Sequence, residues 1–155
     1  SMYFVLDLWG QNPFREATDA PTDTPIVLSA AEAYAFILND LDEAIAGLPE
    51  IAPSLATKGA SKAAANFLKA KVILNSERYT GSAPNYSAVI SAVDAVEASG
   101  FALQSGYFQL FEPTANNETV LYGQIGIGNR IWNGMHYNMV SADQGGGWNM
   151  SFIHI

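Results

Sequence analysis

The chain has 155 residues, a formal net charge of -8 and no cysteine. This length fits one domain with a sizeable core, and the lack of cysteine excludes disulfide scaffolds, cysteine zinc sites and thiol catalysis. The acidic balance disfavours nucleic acid and anionic membrane surfaces as partners, and the apolar runs are too short to span a bilayer.

The N-terminal stretch is apolar and stops at a turn signal. Residues 3–9 are hydrophobic apart from Asp7, and the sequence Gly10-Gln-Asn-Pro13 follows. This start is typical of the end of an interrupted helix and lacks signal-peptide features, so we expect the chain to be a fragment of a longer protein. Residues 14–25 are polar and contain two prolines, which predicts a surface loop.

A first long helix is predicted from Ser29 to Gly47. Ser29-Ala-Ala-Glu32 matches a capping box, in which the serine side chain and the glutamate side chain each accept a backbone N–H of the other. Apolar residues then recur at spacings of three and four. Its acidic residues lack metal-ligand spacing, so we interpret them as a solvated face: Asp40, Asp42 and Glu43.

A central helix, the most buried one, is predicted from Ser61 to Tyr79. Its polar stripe is narrow and apolar side chains cover the rest, so it needs neighbours on more than one side. An antiparallel partner at 29–47 would place its basic residues near acidic ones. The residues expected in the core are Phe67, Leu68, Val72 and Leu74.

Lys71 interrupts the apolar surface of this central helix, because it lies opposite the polar stripe and beside Phe67 and Leu74. An unpaired buried charge is costly. We therefore expect the side chain to be largely covered and its ammonium to pair with a carboxylate or a carbonyl oxygen. Its predicted role is structural rather than catalytic.

The remaining elements are a third helix, a short helical turn and a strand. The helix is predicted from Asn85 to Ser99, with Gly100 as its C-terminal glycine, the turn over 106–111 and the strand over 119–127. Residues 128–155 are rich in glycine and aromatics without a period, which predicts an irregular loop region. The fold class expected is mostly α, with three main helices and a short β segment in a single domain.

Four stretches, in order, resemble the SusD/RagB family of outer-membrane glycan-binding lipoproteins. YFVLDLWGQNPF resembles the family's helix end and "LYGxVPF" turn, and NDLDEAIAGLP resembles its "DLDxAIxxLP" helix. ASKAAANFLKAKVILN resembles "ATKxAAxALLAKVYL". SGFALQSGYFQLF followed by NNETVLYGQI resembles "SGxYxLxxxYxxLF … NxEVIF". The matches span residues 3–127, although Gly59 replaces a frequent arginine and the family's lipidated cysteine and C-terminal half are not in this sequence.

The resemblance implies a tetratricopeptide-like helical scaffold that binds a glycan without catalysis and without a cofactor. It implies a partner, a SusC-like TonB-dependent porin that imports the captured glycan, and a surface-exposed location at the outer membrane. Membrane association would then depend on a lipid anchor absent from this chain.

The predicted ligand-binding residues lie after Ile127. Sugar rings have apolar C–H faces and a rim of hydroxyls, so a binding surface needs exposed aromatic platforms with amide or hydroxyl partners. The alternative is that Trp132 and Trp148 only cover the open edge of the helices, or pack against the family's C-terminal half, which is not in this sequence. By resemblance to the family's aromatic-lined site, we predict that six residues together form a glycan platform: Trp132, Asn133, His136, Tyr137, Trp148 and Asn149.

No motif favours an enzyme. The pair Gly126 and Gly128 lacks the third glycine of a dinucleotide site, and His136 and His154 lack metal-ligand spacing. Two other functions stay open: a helical-repeat module that binds proteins, and glycoside cleavage by a carboxylate pair, whose separation the sequence does not reveal.

Overall fold

The computed structural model describes residues 2–16, 18–20, 22–54, 57–111 and 116–123. The chain divides into two units, residues 1–122 and 123–155, and the elements below belong to the first. In chain order they are α1 (Met2–Trp9), β1 (Gln11–Phe14), β2 (Ile26–Ser29), α2 (Ala30–Gly47), α3 (Lys62–Leu74), α4 (Ser76–Thr80), α5 (Tyr86–Ala98) and a 3-10 helix (Tyr107–Phe111). Within these ranges, no helix is long and apolar enough to cross a membrane.

A short antiparallel hairpin joins α1 to α2. β1 pairs with β2 so that Gln11 lies opposite Ser29 and Phe14 opposite Ile26. The prediction of a turn at 10–13 was therefore wrong for residues 11–13, which belong to β1. The predicted loop begins after Phe14 and ends before Ile26, so its end at residue 25 agrees with the structure. Asn and Pro are poor strand residues, and here tertiary contacts override that preference. The Asn12 side chain is buried and its Nδ2 donates to the Met2 carbonyl at 3.1 Å.

The predicted capping box begins α2. Ser29 Oγ accepts the Glu32 amide at 3.4 Å, and the Glu32 carboxylate accepts the Ser29 amide at 2.8 Å. Bonds from the Ser29 hydroxyl and amide to the Glu32 carboxylate hold the pKa of Glu32 below its ordinary value. The helix ends at Gly47, as predicted. Its capping signals and the spacing of its apolar residues indicate the same helical range.

The central helix is shorter than predicted. α3 ends at Leu74, and after Asn75 a separate turn of helix, α4, continues to Thr80. Asn75 leaves helical geometry, with φ −96° and ψ 10°, and its side-chain amide donates to the Lys71 carbonyl at 2.8 Å. An asparagine side chain competes with backbone N–H groups for helix carbonyls, which favours a break at this residue.

α3 lies between α2 and α5 and carries more buried side chains than any other described helix, as predicted. Lys69 pairs with Asp42 of α2, and Lys62 pairs at 3.2 Å with Glu50, which follows α2. These two pairs show that α2 and α3 run antiparallel and confirm the expected charge pairing. The largest core cluster joins α1, α2, α3 and α4 through Tyr3, Leu6, Ala33, Ile37, Leu41, Ala65, Val72 and Tyr79.

One side of α3 differs from the prediction. Val72 is buried and Leu68 packs on the main cluster, but Phe67 is 55% exposed and Leu74 is 50% exposed. Lys71, on the same side, is exposed as well. Its Nζ lies 5.4 Å from the centre of the Tyr3 ring. The prediction of a largely covered lysine paired with a carboxylate or a carbonyl oxygen was wrong, because the side chain stays exposed and its ammonium lies near the Tyr3 ring of α1.

α5 and the short 3-10 helix agree with the sequence prediction. Asn85 caps α5 by accepting the Ala88 amide at 3.1 Å, and Gly100 after the helix has φ +94°. The predicted strand is not formed over residues 119–123, which are irregular, and residues 124–127 lie outside the described residues. The predicted loop region over 128–155 also lies outside them.

Candidate functional site

All six predicted glycan-binding residues lie outside the described residues: Trp132, Asn133, His136, Tyr137, Trp148 and Asn149. Their role as a binding platform stays a prediction. The described part shows how the polypeptide before them is held, what its carboxylates do, and which of its apolar side chains are exposed.

The segment that precedes the predicted platform is fixed to the helices. Asn116 Oδ1 accepts the amides of Glu118 and Thr119 at 2.9 and 2.7 Å. The Glu118 carboxylate in turn accepts the Gln104 amide at 2.8 Å. The Asn and Glu of the fourth sequence match thus form a structural clamp between residues 102–104 and 116–119.

Packing reinforces this clamp. Ala63, Val96 and Phe101 form a second buried cluster, and Val120 packs against it. The Tyr122 amide donates to the Thr57 carbonyl at 3.3 Å. Residues 116–122 are therefore held against the helical scaffold by hydrogen bonds and by apolar contacts.

A polar cluster lies where α1 meets α4. The Tyr79 hydroxyl donates to Asp7 Oδ1 at 2.9 Å, and the rings of Tyr79 and Tyr34 are 6.1 Å apart. Burial is the larger cause that raises the pKa of the Tyr79 phenol, and the hydrogen bond to Asp7 is the second. A phenol that keeps its proton is a hydrogen-bond donor, so this cluster ties α1 to α4.

This raised pKa makes stability depend on pH at the alkaline end. Below the ordinary tyrosine pKa of about 10 both folded and unfolded chains are protonated at Tyr79, and its contribution is complete. Above it the unfolded phenol ionises first, so stability falls as pH rises. Tyr79→Phe should remove Tyr79's share of that fall. Urea unfolding of parent and variant at pH values of about 9 and 11 measures it.

The matched control for this prediction is Tyr86→Phe, because Tyr86 is an exposed tyrosine on α5. It should keep the parent's loss of stability between the two pH values. Equal loss in the parent and in Tyr79→Phe would mean that burial and the hydrogen bond to Asp7 do not raise the pKa of Tyr79.

Two of the acidic residues in the second half of α2 have structural partners. Asp42 pairs with Lys69, and Glu43 accepts the Asn39 side-chain amide at 2.7 Å. Within the described ranges no group of three or more His, Asp or Glu side chains is placed to hold a metal ion. Asp42 thus links α2 to α3, whereas the Glu43 bond lies within α2.

The four sequence matches include core and turn residues of the scaffold. Leu6 is fully buried, Gly10 ends α1 with φ +69°, and Leu41 and Phe101 belong to the two apolar clusters. The resemblance therefore includes residues that build the core and the turns of the helical scaffold.

Comparison with known proteins agrees with this scaffold. No family model and no curated protein matches the chain. Among solved structures, the crystal structure of a SusD-like protein from Bacteroides fragilis NCTC 9343 is similar, with 28% sequence identity and a TM-score of 0.55. The similarity covers 68% of this chain and 20% of that one, so this chain matches about a fifth of the solved protein's length.

The helical architecture and the structural similarity support the same conclusion. The predicted fold class, a mostly helical tetratricopeptide-like scaffold with a short β segment, is confirmed. The scaffold residues that carry the sequence resemblance lie within a structure similar to a SusD-like protein. The sequence resemblance to the SusD-like family is therefore supported by the structural similarity.

Proposed function

We propose that this chain is part of a glycan-binding subunit of an outer-membrane nutrient uptake system. The observation that carries the proposal is the similarity to the SusD-like crystal structure at 28% identity. In this role the protein captures an oligosaccharide or polysaccharide and hands it, without cleaving it, to a SusC-like TonB-dependent transporter. The chain acts at the cell surface and needs no cofactor.

The binding chemistry follows from the side chains after Ile127. Trp132, Tyr137 and Trp148 offer flat apolar faces for the C–H side of sugar rings. Asn133, His136 and Asn149 offer hydrogen-bond partners for the hydroxyl rim. A neutral glycan needs no charged group for this, which suits a protein with a formal charge of -8.

The test has two stages. An oligosaccharide array probed with the chain first identifies a ligand, and isothermal titration then compares the parent with Trp132→Ala and Trp148→Ala. Removing a stacking platform should weaken binding by about tenfold or more. Circular dichroism of each variant checks that the helices stay folded.

Trp9→Ala is the matched control, because Trp9 is 67% exposed and lies on α1, far along the chain from the predicted platform. Its affinity should equal the parent's. Unchanged affinity in both Trp132→Ala and Trp148→Ala, or loss in Trp9→Ala alone, would overturn the assigned platform.

Chromatography of the glycan after incubation separates binding from cleavage. An intact ligand is the expected result, and shortened products would favour the glycoside-cleaving alternative. If no glycan on the array binds to the folded chain, the proposed function is wrong, and binding to a protein partner becomes the better explanation.

A further inference from the structure

Two aromatic side chains of the 3-10 helix are exposed. Phe108 is 80% exposed and Tyr107 is 69% exposed. The centres of their rings are 5.6 Å apart, and the ring planes meet at 76°. The two rings are therefore nearly perpendicular and form an open corner rather than a stack. Exposed apolar surface that polar groups border is a mark of ligand-binding and interaction sites.

A side-chain amide lies beside this corner. Residues three apart in a 3-10 helix lie on the same side, which places Gln109 over Gly106, the residue directly before the helix. The Gln109 amide folds back against Gly106 so closely that a Cβ there would overlap it. Among the described residues this amide has no hydrogen-bond partner, and the Gln109 side chain is exposed. Its donor and acceptor groups are therefore available to a ligand.

The polypeptide that carries the two rings has no charged side chain. Residues 98–111 contain no Asp, Glu, Lys or Arg, although these residues make up 14% of the chain. The Glu118 carboxylate reaches this stretch, but it accepts the Gln104 amide at 2.8 Å. The exposed polar side chains next to the rings are neutral, namely Ser105 and Gln109. Such a surface offers ring faces and neutral hydrogen-bonding groups, so it suits an uncharged ligand.

We propose that Tyr107, Phe108 and Gln109, which we name the aromatic corner, bind one pyranose ring of a neutral oligosaccharide. The inference rests on the proposed function for the class of ligand, and it adds a site made of residues before Gly123. The C–H face of the sugar stacks on the Phe108 ring. Hydroxyl groups at the rim of the sugar donate to and accept from the Gln109 amide.

Other ligand classes match the aromatic corner less well. A purely apolar ligand would cover the Gln109 amide without giving it a hydrogen bond, which costs free energy. An ionic ligand would meet no opposite charge on residues 98–111. A proline-rich peptide also combines apolar rings with carbonyl acceptors, so the experiment includes one.

The probes are three neutral hexasaccharides that differ in linkage and hydroxyl arrangement: maltohexaose, cellohexaose and xylohexaose. Each is titrated into the 15N-labelled chain, and NMR follows the backbone amides of residues 106–109 and the side-chain amide of Gln109. At least one probe should shift these signals until they saturate. Sorbitol, which has hydroxyl groups but no ring, should not shift them. The signals report on the aromatic corner alone, so they separate it from sugar binding elsewhere in the chain.

Two substitutions test the parts of the site. Phe108→Ala removes the stacking ring and should weaken binding at the corner by about tenfold or more. Gly106→Ala adds a Cβ that displaces the Gln109 amide, and it should weaken binding as well. The matched controls are Phe4→Ala, since Phe4 is 65% exposed on α1, and Gly47→Ala, where an added Cβ meets no atom within 4 Å. Both controls should keep the parent's affinity.

The results separate this site from the proposed function. Shifts at residues 106–109 that persist in a double variant with Trp132→Ala and Trp148→Ala would show that the corner binds sugar by itself. If calorimetry detects a hexasaccharide bound to the chain while these signals stay unchanged, the proposed function stands and the aromatic corner is wrong. Equal affinity in Phe108→Ala and the parent would also overturn it. Shifts with a decaproline peptide and with no sugar would assign the corner to a protein partner instead.

Discussion

Replacing Leu6 by alanine is expected to lower the free energy of unfolding by about 2–5 kcal/mol. Leu6 has 0% of its surface exposed and lies in the main core cluster together with Ile37 of α2 and Val72 of α3. Truncation removes its buried methyl groups and leaves a cavity that the three surrounding helices fill only partly. Urea unfolding followed by circular dichroism measures the loss.

Leu8→Ala is the control on the same helix. Leu8 is 68% exposed, so its truncation should change stability by only about 0.5 kcal/mol. Similar losses in Leu6→Ala and Leu8→Ala would show that α1 does not dock on the scaffold through its Leu6 side. A large loss in Leu6→Ala alone supports the assignment of α1 to the core.

Helix ends were predictable from sequence where the signal is local. Ser29 and Glu32 lie three residues apart and satisfy each other's backbone amides, so the start of α2 needs no information from elsewhere. Gly100 follows α5 in the left-handed region, where a residue without Cβ is favoured. Such signals involve neighbours in the chain, and the structure confirms them.

Elements that depend on distant contacts were not predictable in the same way. β1 contains Asn12 and Pro13, and its pairing depends on residues 26–29 and on the bond from Asn12 to the Met2 carbonyl. The break after α3 depends on one asparagine whose side chain competes with the backbone. Neither feature changes the hydrophobic periodicity that predicts helices.

Lys71 was the sequence signal for the exposed side of α3. A helical projection places Lys71 on the same side of α3 as Phe67 and Leu74. This side could be buried, with the lysine paired, or it could be an exposed apolar surface, and hydrophobic periodicity does not distinguish these two interpretations. The structure selects the second interpretation, because α2 and α5 already occupy two sides of this helix. A projection of one helix does not show where the neighbouring helices lie.

The candidate site was predictable only in its chemistry. Trp132, Trp148 and their polar neighbours have the side-chain types that a glycan requires. Side-chain directions can be predicted where hydrophobic residues recur with the period of a helix or a strand, and this glycine-rich segment has no such period. The residue types thus support a hypothesis about the ligand class, while the arrangement of the platform requires measurement.

Replacing Phe101 by alanine is expected to lower the free energy of unfolding by about 3–5 kcal/mol. Phe101 is 4% exposed and is the largest residue of the cluster that also contains Ala63 and Val96. Because the alanine and valine side chains are small, the Phe101 ring fills most of the volume of this cluster. Its loss should therefore loosen the contact between α3, the end of α5 and Val120.

Hydrogen exchange locates this effect. The Ala102 amide donates to the Asn117 carbonyl at 2.9 Å and the Tyr122 amide to the Thr57 carbonyl, and both amides should exchange faster in Phe101→Ala. Phe108→Ala is the matched control, because Phe108 is 80% exposed on the 3-10 helix and its truncation should keep both stability and exchange near the parent values. Equal protection of both amides in Phe101→Ala and the parent would mean that hydrogen bonds alone, through Asn116 and Glu118, hold the segment. Faster exchange would mean that the apolar cluster positions the polypeptide that leads to the predicted glycan platform.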